Sequence, residues 1–359
     1  MTETSAPRNA AEERVQRFMV EYDAQWRKAA PEFEDRDRGD RRDAFDLWRE
    51  LMEQTTRNHF VEGTAAGFAQ SFGRPPEYGP EAEQLVGSEL RGDVAYVLTR
   101  SASPLEKFHE YTLHGQDGDW RISAIADHYG DPAQPFVDRA AVEERLQGSA
   151  ADALFTEMPE AQARLDEARN FTVREVARGD GETARTEVSP IGTLVTSTGV
   201  LSVLDFGYDN NDARPLARTV APGSYPVERV TAFGRNAAVR VRFTDEAPVS
   251  WHPASLPGSG HVFGVDAGCA CIVDYVGYST MTRREKTAAY DRFCAVERPA
   301  TLEFPLGGGA DAGIAVDSGY GDGGYPAYWG VDAEGEVAQL VVDFMVLVTE
   351  GDDGVLVHL

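Results

Sequence analysis

This chain of 359 residues has few cysteines and no long apolar run. It also lacks the phosphate-binding motif G-x-x-x-x-G-K-[ST] and the hydrolase motif G-x-S-x-G. The three cysteines (Cys269, Cys271 and Cys294) cannot all pair with one another, which favours a reducing compartment. No run approaches the roughly 18 apolar residues that a membrane-spanning helix needs, and the first residues are too polar for a secretory signal. We therefore expect a cytoplasmic protein that does not bind membranes.

Basic residues are also scarce. The chain has 34 Lys and Arg against 60 Asp and Glu, which gives a formal net charge of -26. Residues 301–359 contain eleven carboxylates and no Lys or Arg. Such a field repels nucleic acid and attracts cationic partners or metal ions, although an acidic surface also improves solubility without any partner. The charge therefore argues against nucleic-acid binding and favours a cationic protein partner.

The first half of the sequence predicts helices followed by strands. Apolar residues recur at helical spacing from Val15 to Trp26 and again from Phe45 to His59. The proline-rich loop at residues 73–80 ends the helical part. Four extended segments follow, which are EQLVGSELR, DVAYVLTR, EKFHEYTLHG and DWRISAIADHY. This order predicts an α+β domain in which helices cover one face of a curved sheet.

That element order and the closing strand GDWRISAIADHY resemble the cone-shaped fold of nuclear transport factor 2 and its bacterial relatives. The resemblance covers residues 10–135 and is to the immunity proteins of that superfamily, which accompany bacterial toxins. It implies a non-catalytic role in neutralising a toxin.

Residues 136–169 predict a helical connector, because they are rich in Ala, Glu and Arg. From residue 170 to residue 359 the sequence changes to short strands separated by turns. One helix, TRREKTAAYDRFCAV, interrupts this region before a final strand, EVAQLVVDFMVLV. The second domain should therefore be mostly β.

The segments APGSYPV, HVFGVDAGCACIVDYV and DSGYGDGGYPAYWGVDAEGEVAQLVVDF resemble the domain-of-unknown-function family 4241. The resemblance spans residues 170–350 and implies no established chemistry.

The acidic and aromatic stretch at residues 317–336 raises the question of a metal loop. A helix–loop–helix calcium site needs oxygen ligands at its third and fifth positions, where this stretch has Gly319 and Gly321, or Gly324 and Pro326. The glycines and the dipeptide Asp322-Gly323 predict tight turns instead. On such turns aromatic and acidic side chains would form a rigid recognition platform, unless the aromatics pack inward as core. The predicted partner-binding residues are Tyr320, Asp322, Tyr325, Tyr328, Trp329 and Asp332.

Three alternatives concern other chemistry. Four aspartates, Asp266, Asp274, Asp317 and Asp322, could cluster around a divalent cation in a metal-dependent hydrolase. A zinc site built from the cysteines and His261 lacks the usual ligand spacing, so buried thiols are favoured.

The cone pocket offers a third alternative. His109, His114, Asp127 and His128 lie on its predicted strands, with Tyr22 on the first helix. Because Asp127 and His128 are adjacent, they face opposite sides of a regular strand and do not form an acid–base pair in the cone.

Together these features predict a non-enzymatic, acidic, protein-binding module that resembles a toxin-neutralising immunity protein and uses no cofactor. The metal-dependent hydrolase and a small-ligand binder that uses the cone pocket are the alternatives.

Overall fold

A computed structural model describes residues 6–34, 42–64, 71–102, 104, 107–116, 118–135, 137–207, 213–258, 260 and 262–359. The chain divides into two compact units, Met1–Pro132 and Ala133–Leu359. The first combines helices with a sheet and the second is mostly β, which confirms the predicted α+β class. Among the described residues, no helix is long and apolar enough to cross a membrane.

The first unit contains two long helices and a four-stranded antiparallel meander with the order β1-β2-β3-β4. The helices bury the predicted stripes, because Phe18, Tyr22, Trp48 and Met52 all lie in one core that also includes Tyr111. Register shifts in β1 and in the β3–β4 pair are β-bulges, which increase the local bend and twist of the sheet. The elements are α1 (Ala6–Glu34), α2 (Arg42–His59), β1 (Glu83–Arg91), β2 (Val94–Ser101), β3 (Lys107–Gln116) and β4 (Asp119–Tyr129).

The second unit is built on one antiparallel sheet of eleven strands. Its path is β11-β16-β17-β10-β9-β7-β15-β13-β8, with β12 added to β16 and β14 added to β15. The sheet curves until its ends approach, since the backbone amides of Asp266 and Ala267, which follow β12, donate to Asp205 at the end of β8. The predicted helix is present as α5, and a capping box between Thr282 and Glu285 begins it.

The bounds of these elements are α3 (Arg139–Leu146), β5 (Glu175–Ala177), β6 (Thr183–Arg185), β7 (Glu187–Thr196), β8 (Leu201–Asp205), β9 (Gly223–Ala232), β10 (Arg235–Arg242), β11 (Ser250–Pro253), β12 (Val262–Val265), β13 (Cys269–Asp274), α4 (Tyr275–Ser279), α5 (Arg283–Cys294), β14 (Thr301–Pro305), β15 (Ala312–Asp317), β16 (Gly323–Val331), β17 (Val337–Asp343), β18 (Val348–Glu350) and β19 (Leu356–His358). Strands β5 and β6 form one small hairpin, and β18 and β19 form another.

The segment that the sequence assigns to a connector, residues 136–169, falls inside the second unit. It contains α3 and a short 3-10 turn, Glu160–Gln162, and a second 3-10 turn, Glu167–Phe171, begins near its end. Glu167 and Asn170 are fully buried, and the Asn170 amide donates to Glu167 at 2.9 Å and to Asp343 at 3.3 Å. This part of the chain therefore contributes buried groups to the β unit.

The predicted final strand is interrupted after β17. Asp343 is fully buried, and its Oδ1 accepts the backbone amide of Met345 at 2.7 Å. Met345 has φ of 59°, in the left-handed region that a β-branched or bulky residue rarely adopts. This local bond turns the chain, so the strand that resumes at Val348 belongs to the separate β18–β19 hairpin.

Candidate functional site

A buried histidine, His109, lies at the centre of a polar cluster in the first unit. It is 0% exposed, and its Nδ1 contacts the carboxylate of Glu83, which is itself buried. Glu83 also accepts from Thr99 Oγ1 at 2.6 Å and from the Tyr111 hydroxyl at 2.8 Å. Because Glu83 acts as the acceptor for all three partners, Nδ1 of His109 carries a proton, and Nε2 is the ring nitrogen left to bind a ligand.

The Nε2 atom of His109 faces two further carboxylates. It is buried without a hydrogen-bond partner among the described residues, and lies 3.5 Å from Asp127 Oδ1 and 4.0 Å from Glu77 Oε1. The Lys107 ammonium bridges the same two carboxylates, at 2.7 Å from Glu77 and 3.0 Å from Asp127. Burial lowers the pKa of Lys107, but the bonds to both carboxylates outweigh it and raise the pKa above its ordinary value. The lysine therefore remains protonated beside the buried imidazole.

This cluster forms part of the wall of a cavity of about 820 Å³. Trp26, Gly73 and Pro75 line the cavity together with Glu77, Lys107 and His109. Behind them the Tyr78 ring packs 4.8 Å from the His109 ring, and Tyr22 packs 5.1 Å from Tyr78. Burial raises the pKa of Tyr22, Tyr78 and Tyr111, so all three phenols stay protonated. The pocket thus combines a few polar groups with aromatic walls, as small-ligand sites do.

A β-bulge explains why His109 and Asp127 meet. The hairpin turns between Gln116 and Asp119, and the uninterrupted register from that turn would pair His109 with Ala126. A shift between Thr112 and Leu113 adds one residue to β4, and places Asp127 directly opposite His109. The sequence interpretation considered Asp127 only beside its neighbour His128 and missed this cross-strand pair.

The other residues predicted for the pocket have separate places. His114 is exposed near the turn, whereas His128 is buried with Nε2 at 4.0 Å from Glu110. Tyr22 lies in the aromatic core, in ring contact with Trp48. The residues that the sequence interpretation overlooked are Glu77, Glu83 and Lys107. The acidic run around Pro80, directly before a strand, was the available signal for the two glutamates.

In the second unit, most of the predicted recognition platform is interior. Tyr325, Tyr328 and Trp329 are at most 4% exposed and belong to β16, whereas Tyr320 is 52% exposed. The Tyr325 and Trp329 side chains pack in the main core of the curved sheet. Tyr328 is not part of that core, and burial beside Glu167 and Asp343 raises its pKa. The inward packing that the sequence left open is therefore the arrangement seen for these three aromatics.

The sequence of β16 did not predict a strand, because it contains three glycines and Pro326. Pro326 pairs with Val262 of β12, while the ladder between β16 and β17 begins one residue later at Ala327. The proline therefore lies where its missing N–H leaves no gap in that ladder. At the other end Gly330 makes room for the Trp251 ring, because a Cβ there would lie 2.8 Å from that ring.

Asp322 and Asp332, the two acidic residues of the stretch that were predicted to bind a partner, lie in turns. Asp322 is exposed in the turn before β16. Asp332 is 6% exposed, and its Oδ1 accepts the amides of Glu334 at 3.1 Å and Glu336 at 2.8 Å. Gly335 follows with φ of 87°, and its amide donates to the Asp332 carbonyl at 3.2 Å, which closes a tight turn before β17.

The four aspartates of the hydrolase alternative are divided between two ends of the sheet. Asp317 pairs in register with Cys269 at one end of β13, and Asp274 is the last residue at the other end. Five residues of extended strand separate these ends by roughly 16 Å, too far for one ion. Asp274 is fully buried and accepts from Thr196 and Thr198, so its oxygens serve the fold.

Asp317 has structural partners as well, because it contacts the Arg298 guanidinium and the Ala300 amide. Asp266 and Asp322 are both exposed. Asp266 directly follows β12 and Asp322 directly precedes β16, next to the cross-strand pair of Val265 with Gly323. Within the described part of the chain, the group of carboxylates and histidines spaced to hold a cation is Glu77, His109 and Asp127.

The thiols are free. Cys269 and Cys271 are buried in the core beside α4 and α5, whereas Cys294 is exposed. Burial raises the pKa of Cys269 to about 12 and raises that of Cys271 as well, so neither is a reactive thiolate. His261 lies outside the described residues.

Residues 194–342, less than half of the chain, match a protein family described as "Protein of unknown function (DUF4241)". This match supports the resemblance of the C-terminal half to that family. No curated protein and no solved structure matches the chain.

Proposed function

We propose that this protein is a non-enzymatic, acidic binding module for a cationic protein, of the kind that neutralises a bacterial toxin. The observation that carries the proposal is the exposure of carboxylates in residues 301–359 of the second unit, among which Asp353 is paired with Arg164 at 2.7 Å. Of the eleven that follow residue 300, seven are exposed: Glu303, Asp322, Glu334, Glu336, Glu350, Asp352 and Asp353. A surface of one sign steers an oppositely charged partner and speeds its association.

The structure alters which residues would contact that partner. Of the predicted platform, Tyr320 and Asp322 are accessible, while the buried aromatics would act by stiffening the strand beneath them. Tyr320 is already engaged, since its hydroxyl accepts from Arg178 at 2.9 Å and its ring lies 5.1 Å from the Arg235 guanidinium. The carboxylates of the turns are therefore the proposed primary contacts, and Tyr320 a secondary one.

The test uses a partner captured from native cells, purified, and returned to the full chain. Its association rate should fall steeply between about 0.05 and 0.5 M salt, with a much smaller change in dissociation, because steering acts within the Debye length. Glu334→Gln together with Glu336→Gln should slow association several-fold. Glu50→Gln with Glu53→Gln removes the same charge from the exposed face of α2 in the first unit and should leave the association rate unchanged. Equal rates for both double variants, or no salt dependence, would remove this proposal.

A second candidate, a small-ligand binder, is favoured by the cavity beside His109. The buried Nε2 atom, with no hydrogen-bond partner among the described residues, offers an acceptor to a ligand in that cavity. Chemical-shift changes at His109 and Trp26 on titration with a panel of small polar aromatic compounds would identify such a ligand.

A further inference from the structure

We propose that Glu77, His109 and Asp127 form a binding site for one divalent transition-metal ion of the zinc class. The site belongs to the first unit and does not depend on the protein partner proposed above. It rests on a buried imidazole nitrogen without a hydrogen-bond partner among the described residues, directed at two carboxylates on neighbouring segments.

The spacing of the three ligand atoms fits such an ion. One nitrogen and two carboxylate oxygens lie within 4.8 Å of one another. Zinc binds histidine nitrogen and carboxylate oxygen at about 2.0–2.2 Å, so tetrahedral ligand atoms are roughly 3.3 Å apart. Nε2 of His109 and Oδ1 of Asp127 are 3.5 Å apart, close to that value. Nε2 of His109 and Oε1 of Glu77 are 4.0 Å apart, so the partly exposed Glu77 carboxylate has to approach the nitrogen by about 0.7 Å.

Glu83 supplies the outer contact that a histidine ligand usually has. It holds the Nδ1 proton, and therefore fixes both the tautomer and the orientation of the ring. Thr99 and Tyr111 in turn fix Glu83, at 2.6 Å and 2.8 Å. A metal-binding tautomer is thus prepared before any ion enters, and Glu83 is a positioning residue rather than a ligand.

Lys107 is the counter-ion of the metal-free form. Its ammonium contacts both proposed carboxylate ligands, so it competes directly with a metal ion for their charge. The lysine side chain is 17% exposed and flexible, so the ammonium can leave for solvent when a cation of higher charge binds. The two carboxylates and the lysine also explain how this charge cluster is stable without metal.

Three protein ligands leave the fourth tetrahedral position free. The ligand residues Glu77 and His109 line the cavity of about 820 Å³, so that position would open toward a space large enough for a small molecule. Open zinc sites bind water or an anionic oxygen donor there. The expected additional ligand is therefore a small oxygen-donor molecule such as a carboxylate.

The experiment uses Zn²⁺ and Co²⁺ with the full chain. Zn²⁺ affinity is measured by competition with a chromophoric chelator, and Co²⁺ reports its ligands through its visible absorption. We expect one tight ion per chain above the weak binding of an acidic surface, and a Co²⁺ spectrum typical of four-coordination. Glu77→Gln and Asp127→Asn should each weaken Zn²⁺ binding at least tenfold. Asp93→Asn, which removes an exposed carboxylate from the β1–β2 turn, should change the affinity less than twofold.

Two variants separate a metal site from a general charge effect. Lys107→Met removes the competing cation and should strengthen Zn²⁺ binding about tenfold, although Lys107 itself is no ligand. Glu83→Gln should weaken binding 10- to 100-fold and alter the Co²⁺ spectrum without changing the number of ligands. His109→Gln is tested for folding as well as for Zn²⁺ binding. If the His109 variant does not fold, Glu77→Gln provides the test of a ligand residue. Absence of a stoichiometric ion, or equal affinities for Glu77→Gln, Asp127→Asn and Asp93→Asn, would overturn the proposal.

Discussion

At the scale of single residues, the buried groups around Asp343 have opposite responses to pH. Burial raises the pKa of Asp343 to about 6, and burial beside Asp343 raises the pKa of Glu167 well above its ordinary value, so the pair retains a proton at a pH where free carboxyl groups have lost theirs. Burial, assisted by Arg169 and Arg174, lowers the pKa of His358 to about 4. His358 lies with Nε2 at 3.9 Å from Glu167, so one small region contains both a protonated acid and a neutral base.

The two shifts should partly cancel in the stability of the second unit. A raised acid pKa stabilises the fold below the unfolded value of 3.8, and this is lost as pH rises through about 6. A lowered histidine pKa stabilises above 6.5, and this is lost as pH falls through about 4. Asp343→Asn removes one contribution that falls with pH, whereas the raised pKa of Glu167 remains, so between pH 4 and 6.5 the free energy of unfolding of the variant should increase by about 1–3 kcal/mol relative to that of wild type. His358→Gln removes the contribution that rises with pH, so its free energy of unfolding should decrease with pH relative to that of wild type. Urea unfolding at several pH values measures the pH dependence for both variants. Three parallel profiles would contradict the assignment.

The aromatic residues of β16 allow a second test at this scale. Trp329→Ala removes a buried ring from the main core and should reduce the free energy of unfolding by about 3–5 kcal/mol. Tyr320→Ala, at an exposed position in the same stretch, should cost less than about 1 kcal/mol. Chemical denaturation of both variants measures the difference. Comparable losses would mean that Tyr320 is also structural.

At the scale of elements, Asp274 connects β13 to its surroundings. One carboxylate oxygen accepts from the Thr196 and Thr198 hydroxyls, both at 2.6 Å, and the other accepts the Gly277 amide at 2.9 Å to cap α4. Asp274→Ala should destabilise the second unit by about 2–4 kcal/mol, because it leaves several buried donors without an acceptor. Asp266→Ala, at an exposed position, should have little effect on unfolding. A loss of bound metal in both variants, with the fold intact, would restore the hydrolase alternative.

Prediction from the sequence succeeded for helices and strands in which the apolar residues follow one regular spacing. The apolar stripes of α1 and α2 and the bounds of β1 and β4 follow from local patterns alone. Strand β16 was missed because burial on both faces removes the alternation, and glycine and proline obscure the rest. The His109 cluster was missed because a one-residue bulge sets the β3–β4 register, and no local signal announces it.

At the scale of the whole molecule, the boundary between the units can be tested with fragments. The structure divides the chain at Pro132, whereas the sequence interpretation began the β domain at residue 170. The fragment 133–359 should unfold cooperatively. The fragment 171–359 lacks Glu167 and Asn170, as well as the buried Val137 and Val142, and should melt at lower temperature or aggregate. Equal melting temperatures would return the boundary to residue 170.

The span of the family match has a consequence for how this fold passes between genes. Residues 194–342 begin inside β7 and stop one residue before Asp343. A gene segment cut at those limits would encode only the last part of β7. It would also lack Asp343, and with it the buried hydrogen bonds to Asn170 and Met345. A segment that carries the whole β unit is therefore expected to begin near Ala133. Fusion joints in other proteins that carry this unit should lie ahead of α3, about sixty residues before the recognisable family similarity begins.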